Sequence, residues 1–173
     1  MADLPAGAVV NDSIHLGPFE LLEPLARGGM SQVWRGLHTA GDLEVAIKIV
    51  ADDGDDDGEE CRRRFRNEIR SVARLRHPNI VRIYDYGEIP RQVAYDSGGR
   101  FCPDQPYIVM EYADGGTMGE CDGPDDWPSL REALLTLLEA LAHAHARTIV
   151  HRDLKASNVL AVRRCDRLSL ALS

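Results

Sequence analysis

Asp153, Lys155 and Asn158 stand in close succession and are the residue types a group-transfer reaction needs. A carboxylate can accept a hydroxyl proton, an ammonium can neutralise a migrating anionic group, and an amide oxygen can hold a hard cation such as Mg2+. They directly follow an apolar pair, Ile149-Val150. Two further candidates lie far upstream. Ala26-Arg27-Gly28-Gly29-Met30-Ser31 is a turn of small residues between strand-like runs, and such turns let backbone N–H groups approach a phosphate closely. Lys48 is embedded in the apolar run Glu44 to Val50, where a buried ammonium would be costly without an anionic partner.

The intervening chain must position these groups. Phe19 to Leu25 begins a strand, Glu44 to Val50 is a buried strand, and Ile80 to Gly87 and Pro106 to Tyr112 read as two more. Glu88 to Gln105, rich in Gly, Pro and polar residues, reads as a long hairpin loop. Phe65, Ile69, Val72 and Leu75 recur at helical spacing, which predicts a helix from Glu59 to Arg76. After the turn-rich stretch Gly119 to Pro128, Ser129 reads as the cap of a helix carrying Leu130, Leu134, Leu137, Leu138 and Leu141. That helix delivers the chain to Asp153. His143 and His145, two apart near its end, point to different faces and do not make a metal pair. Asp53, Asp55, Asp57 and Gly58 copy the first half of a calcium loop, but the position for the closing glutamate is Arg64. The stretch reads as a flexible acidic connection, and Arg62-Arg63-Arg64 as a solvated face balancing it.

The 173 residues allow a sizeable core, with 44% hydrophobic and 28% charged residues. A net charge of −8 disfavours nucleic acid as a partner. Cys61, Cys102, Cys121 and Cys165 are scattered without a C-x-x-C pair, which predicts reduced thiols in a cytoplasm. Met1 to Asn11 has no basic n-region and no apolar core, so no secretory signal is expected. Leu130 to Val150 contains Arg131, Glu132, Glu139 and Arg147, which excludes a membrane span there.

His151-Arg152-Asp153-Leu154-Lys155-Ala156-Ser157-Asn158 resembles the catalytic loop of protein kinases at every fixed position. The lysine after Leu154 resembles the serine/threonine branch, of the bacterial (Hanks-like) type. The glycine turn keeps one of the family's three glycines, Gly28, with Ala26 and Ser31 in the other two places. Tyr107 to Gly116 resembles the hinge. The resemblance implies an α+β fold: a five-stranded antiparallel small lobe with one helix, then the beginning of a mainly helical large lobe. Residues 1–18 would be a leader, 19–112 the small lobe, and 113–173 the hinge and partial large lobe. It implies phosphorylation of serine or threonine hydroxyls in a protein substrate, with ATP and Mg2+. Asp153 would be the base, Lys155 the charge stabiliser and Asn158 a metal ligand. Lys48, held by Glu68, would grip the α- and β-phosphates. Leu25, Ala26, Gly28, Ser31, Val33 and Ala46 would close over the nucleotide. Met110 would guard the back of the adenine pocket, the backbones of Glu111 and Ala113 would bond the adenine edge, and Leu160 would support it from below.

The resemblance covers roughly Phe19 to Leu160. On the family's usual spacing of about thirteen residues after Asn158, the D-F-G aspartate that binds Mg2+ falls at Ala171, and Asp166 comes too early to replace it. No activation segment follows for Arg152 to meet, and the leucine-rich helix is expected to expose apolar surface. The expectation is a kinase truncated in its large lobe, impaired as this chain and favouring nucleotide binding over turnover. The alternatives are a non-catalytic nucleotide-binding pseudokinase or interaction module, and a large lobe completed by a partner chain.

Overall fold

A computed structural model describes residues 13–28, 31–50, 58–120, 126–164 and 167–173. Its main sheet has the order β1-β2-β3-β4-β6-β5, every neighbouring pair antiparallel. The strands are β1 (Ile14–Leu16), β2 (Phe19–Arg27), β3 (Ser31–His38), β4 (Leu43–Val50), β5 (Ile83–Glu88) and β6 (Pro106–Glu111). Helix α1 (Gly58–Val72) connects β4 to β5, and α2 (Arg91–Asp96) lies between β5 and β6. Helix α3 (Trp127–His145) follows, then a hairpin of β7 (Val159–Arg164) and β8 (Arg167–Leu172).

Three features differ from the sequence reading. The sheet has a sixth strand, β1, formed from the end of the segment read as a leader. Gly17, at φ 59°, opens the tight turn that brings Leu16 opposite Phe19, and Leu16 is fully buried. The expected loop Glu88 to Gln105 contains α2, with Pro90 before its first turn and Ser97 closing it. The Ser97 hydroxyl donates to the Ala94 carbonyl at 2.6 Å and accepts from the Phe101 N–H at 3.2 Å. The helix cap is Asp126, not Ser129: the Asp126 carboxylate accepts the Ser129 N–H at 2.8 Å. Hydrogen bonding from Ser129 holds the Asp126 carboxyl below its ordinary range.

Apolar burial divides into three clusters. The first joins the sheet to the α2 region, with Val45, Ile47, Ile49, Ile89, Phe101 and Val109 buried and Trp34 set edge-on to Phe101. The second packs α3, through Leu137, Ala140 and Ala144, against Leu75, Ile80, Val159 and Leu172. The third places Val81, Val162 and Ala171 beneath Met110, Ala113 and Leu160. Asn79 braces the junction of these parts: its amide nitrogen donates to the Leu170 carbonyl at 2.8 Å, and its carbonyl accepts the Leu172 N–H at 2.9 Å.

Candidate nucleotide and transfer site

The cleft candidates come from one stretch of sheet. Lys48 and Ala46, two apart on β4, share a face, with Val33 opposite Lys48 on β3 and Ile108 opposite it on β6. Ala46 is buried opposite Met110, and Lys48 is half-buried. Ala26 lies opposite Val33 at the mouth of the glycine turn, and the Gly28 N–H donates to the Ser31 carbonyl at 2.8 Å. Gly29 and Met30 lie outside the described residues. Leu25 is exposed at the same end of β2.

The segment after β6 turns away from the sheet to meet β7. Glu111 and Arg82 exchange bonds, Glu111 N–H to the Arg82 carbonyl at 2.8 Å and Arg82 N–H to a Glu111 carboxylate oxygen at 3.2 Å. The Ala113 carbonyl accepts from the Gly116 N–H at 3.3 Å, with Gly116 at φ 73°. Gly115 N–H and Gly116 C=O then bond Ala161, and Met118 N–H bonds the Val159 carbonyl. These bonds hold Met110 and Ala113 in one apolar cluster with Leu160.

The chain leaves α3 through a Schellman closure, with Thr148 left-handed at φ 60°. The Thr148 N–H bonds His145 O, and the Ile149 N–H bonds Ala144 O. A second left-handed residue, Arg152 at φ 63°, forms a tight turn in which the Asp153 N–H donates to the His151 carbonyl at 2.8 Å. Strain of this kind persists only where surrounding contacts hold it; here the His151 Nε2 lies 3.0 Å from the Ser173 carbonyl. The turn sets the Asp153 carboxylate between Lys155 Nζ at 2.8 Å and Asn158 Nδ2 at 3.0 Å. Asn158 Nδ2 also donates to the Asp153 carbonyl at 2.8 Å. Hydrogen bonding from Lys155, and then from Asn158, holds the Asp153 carboxyl below its ordinary range. Asp153 is therefore an ionised, exposed acceptor with its orientation fixed.

Glu68 is placed otherwise than the resemblance implies. Its carboxylate lies 3.8 Å from the Arg152 guanidinium, and both side chains are largely exposed. Among the described residues it makes no ion pair with Lys48. Arg152 thus has an acidic contact that sequence spacing does not reveal, since a helix residue and a loop residue so far apart in the chain carry no shared pattern.

The family model described as "Protein kinase domain" matches residues 19–171. The chain belongs to the protein kinase family. The kinase is 40% identical over 147 residues to serine/threonine-protein kinase PrkC of Bacillus subtilis, an alignment covering 83% of this chain and 20% of PrkC. It is 38% identical over 149 residues to serine/threonine-protein kinase PknB of Mycobacterium leprae, covering 82% of this chain and 22% of that protein. By family it is a bacterial-type serine/threonine protein kinase. The chain spans about a fifth of the length of these relatives. The crystal structure of the Mycobacterium tuberculosis PknI kinase domain superimposes with a TM-score of 0.70 at 23% identity, over 95% of this chain and 62% of that one. That likeness concerns the fold.

The count that put the D-F-G aspartate at Ala171 lands inside a strand. Ala171 pairs with Leu160 and is fully buried, Leu172 pairs with Val159 and is buried, and Ser173 is the residue whose N–H reaches the Asn158 carbonyl, at 3.1 Å. A loop-length count fails here because the β7–β8 hairpin keeps its pairing past that position. Asp166 lies outside the described residues.

The fit to Mg2+ is incomplete. Two hydrogen bonds from the Asn158 amide nitrogen fix the orientation of its one neutral oxygen. Among the described residues no group of three His, Cys, Asp or Glu side chains could hold a metal. Mg2+ is usually bound by one or two carboxylates together with substrate phosphates, and the described side chains do not by themselves form that set. Along α3, Leu134, Leu135 and Leu138 are exposed, in line with the expected apolar surface. Cys102 is a free thiol; the other three cysteines lie outside the residues whose side chains are described. Among the described residues no helix is long and apolar enough to cross a membrane.

Proposed function

We propose that this chain carries the nucleotide cleft and catalytic loop of a kinase that transfers the γ-phosphoryl group of ATP to serine or threonine hydroxyls of proteins. The observation that supports this most is the Asp153 carboxylate, ionised, exposed and flanked by Lys155 and Asn158. In this reading Asp153 accepts the proton of the attacking hydroxyl. The substrate hydroxyl oxygen bonds to the γ-phosphorus as the bond to the β-phosphate oxygen breaks, and ADP leaves. Lys155 balances charge on the migrating group. Lys48 grips the α- and β-phosphates, and Ala46, Val33, Met110 and Leu160 enclose the adenine. Glu111 and Ala113 offer backbone groups to the adenine edge. Asn158 is the described side chain that would contact a Mg2+ ion carried in with the nucleotide, whose chemistry would be to neutralise phosphate charge.

A second reading has its own support. With Glu68 against Arg152 and no cluster of three metal-binding side chains among the described residues, the chain by itself would bind nucleotide without turnover. Transfer of labelled phosphate from ATP to a generic protein substrate separates the two. Transfer lost in Asp153→Asn supports the kinase reading; wild type and Asp153→Asn equally inert, with ATP still bound, supports the non-catalytic one.

A further inference from the structure

Charge is distributed unevenly along this chain. Between Cys61 and Tyr84 lie eight arginines and a single acid, Glu68, in a chain whose net charge is −8. Part of this positive charge is balanced locally. Arg66 pairs with Glu88 at 3.0 Å, and Glu68 itself is shared with Arg152. Arg70, Arg74, Arg76 and Arg82 are exposed, and none of the four has an ion-pair partner among the described residues.

Two of these four line one concave surface. A pocket of about 590 Å3 is bounded by Arg76 and Arg82, with Leu75, Ile80 and Tyr84 as its apolar walls. It forms where the chain leaves α1 and runs into β5, and it shares only Glu111 with the nucleotide-side residues named above. The Arg76 guanidinium is anchored, one nitrogen donating to the Ala73 and Leu75 carbonyls at 3.0 and 3.2 Å. Anchoring reduces the side-chain freedom lost when an anion binds. Glu111, the one acid in the lining, accepts the Arg82 N–H.

We propose that this pocket is a docking site for an acidic peptide segment of a partner protein, one with an apolar side chain between carboxylates. The apolar side chain fills the space between Leu75, Ile80 and Tyr84, and flanking carboxylates meet Arg76 and Arg82. Charge complementarity supplies the commitment to this occupant: a guanidinium fork matches carboxylate geometry, and the apolar walls have no use for a bare anion. A nucleic acid fits less well, because the chain outside this segment is strongly acidic and would repel a long polyanion. The site needs neither ATP nor Asp153, so it stands apart from the proposed catalysis.

The test is fluorescence anisotropy with a labelled peptide in which glutamates and aspartates flank a central leucine. Its counterpart carries glutamine and asparagine instead. The proposal expects the acidic peptide alone to bind, and binding to weaken as salt rises. In the double variant Arg76→Gln, Arg82→Gln affinity falls by at least about tenfold, while Arg131→Gln on α3 and Asp153→Asn match the wild type. Because Arg76 also bonds the end of α1, Arg82→Glu provides a single reversal at a side chain without a described partner, with thermal unfolding as the check on folding. Equal binding of both peptides, no binding of the acidic one, or an unchanged affinity in folded Arg82→Glu overturns the proposal. Tighter binding of a single-stranded oligonucleotide at the same site overturns the choice of a peptide.

Discussion

The Glu68–Arg152 contact makes a prediction whose size the structure limits. If Glu68 serves the nucleotide by steadying Lys48, it must first leave Arg152, so removing the guanidinium favours binding. Two unit charges 3.8 Å apart attract by about 1 kcal/mol in water. With the side chains 77% and 62% exposed, the net worth of such a pair is about 0–1 kcal/mol. The perturbation is Arg152→Asn, because asparagine accepts the left-handed φ of 63° at this position. Titration of a fluorescent ATP analogue, followed by anisotropy, is expected to show affinity tightened by about two- to fivefold. Weakened affinity would mean that the pair supports the cleft instead of competing with it. A change beyond about tenfold would mean the pair is far stronger than exposed partners allow. Each of these refutes the reasoning.

Other perturbations test the scaffold. Gly36→Ala places a Cβ 2.7 Å from the Glu20 carbonyl oxygen and 2.7 Å from the Ile47 Cδ1; the expected loss is about 1–3 kcal/mol, measured by urea unfolding. Asp126→Ala removes the cap of α3 and should cost about 1 kcal/mol, visible as a drop of roughly 2–4 °C in Tm, with Asp126→Asn largely retaining stability. Burial, followed by Arg147 and His77, holds the His143 imidazole below its ordinary pKa, and its ring packs 5.0 Å from His77. The unfolded chain therefore takes up this proton first as pH falls. Stability should decline on acidification from about pH 6.5, and unfolding scans across pH should show that step reduced in His143→Gln.

The grouping of Asp153, Lys155 and Asn158 was legible because it is local. Asp153, Lys155 and Asn158 lie within one loop, and the structure joins them by direct bonds. The strands carrying Lys48 and Met110 were legible from their apolar runs, and α1 from its spacing, although the helix ends at Val72 and a turn carries the chain through Leu75. Short elements were not. β1 has three residues and α2 six, too few for a period to emerge, and both are held by tertiary burial of Leu16, Ala94 and Phe101. The cap was misassigned because Asp126 and Ser129 are both capping types, and Pro128 sits inside the first turn without ending it. Glu68 was misplaced because an exposed side chain chooses among partners by small energies that sequence spacing does not encode.

The central claim is that the residues gathered around Lys48, Ala46, Met110 and Leu160 form a working nucleotide cleft. Thermal unfolding of the purified chain with and without ATP, beside Lys48→Met, tests it most directly. At a hundredfold excess over Kd, ligand linkage adds about 2.7 kcal/mol, roughly 5–10 °C in Tm for a chain of this size. The account predicts that upward shift in the wild type and its loss in Lys48→Met. A cooperative transition that ATP does not move, or moves equally in both proteins, would contradict it.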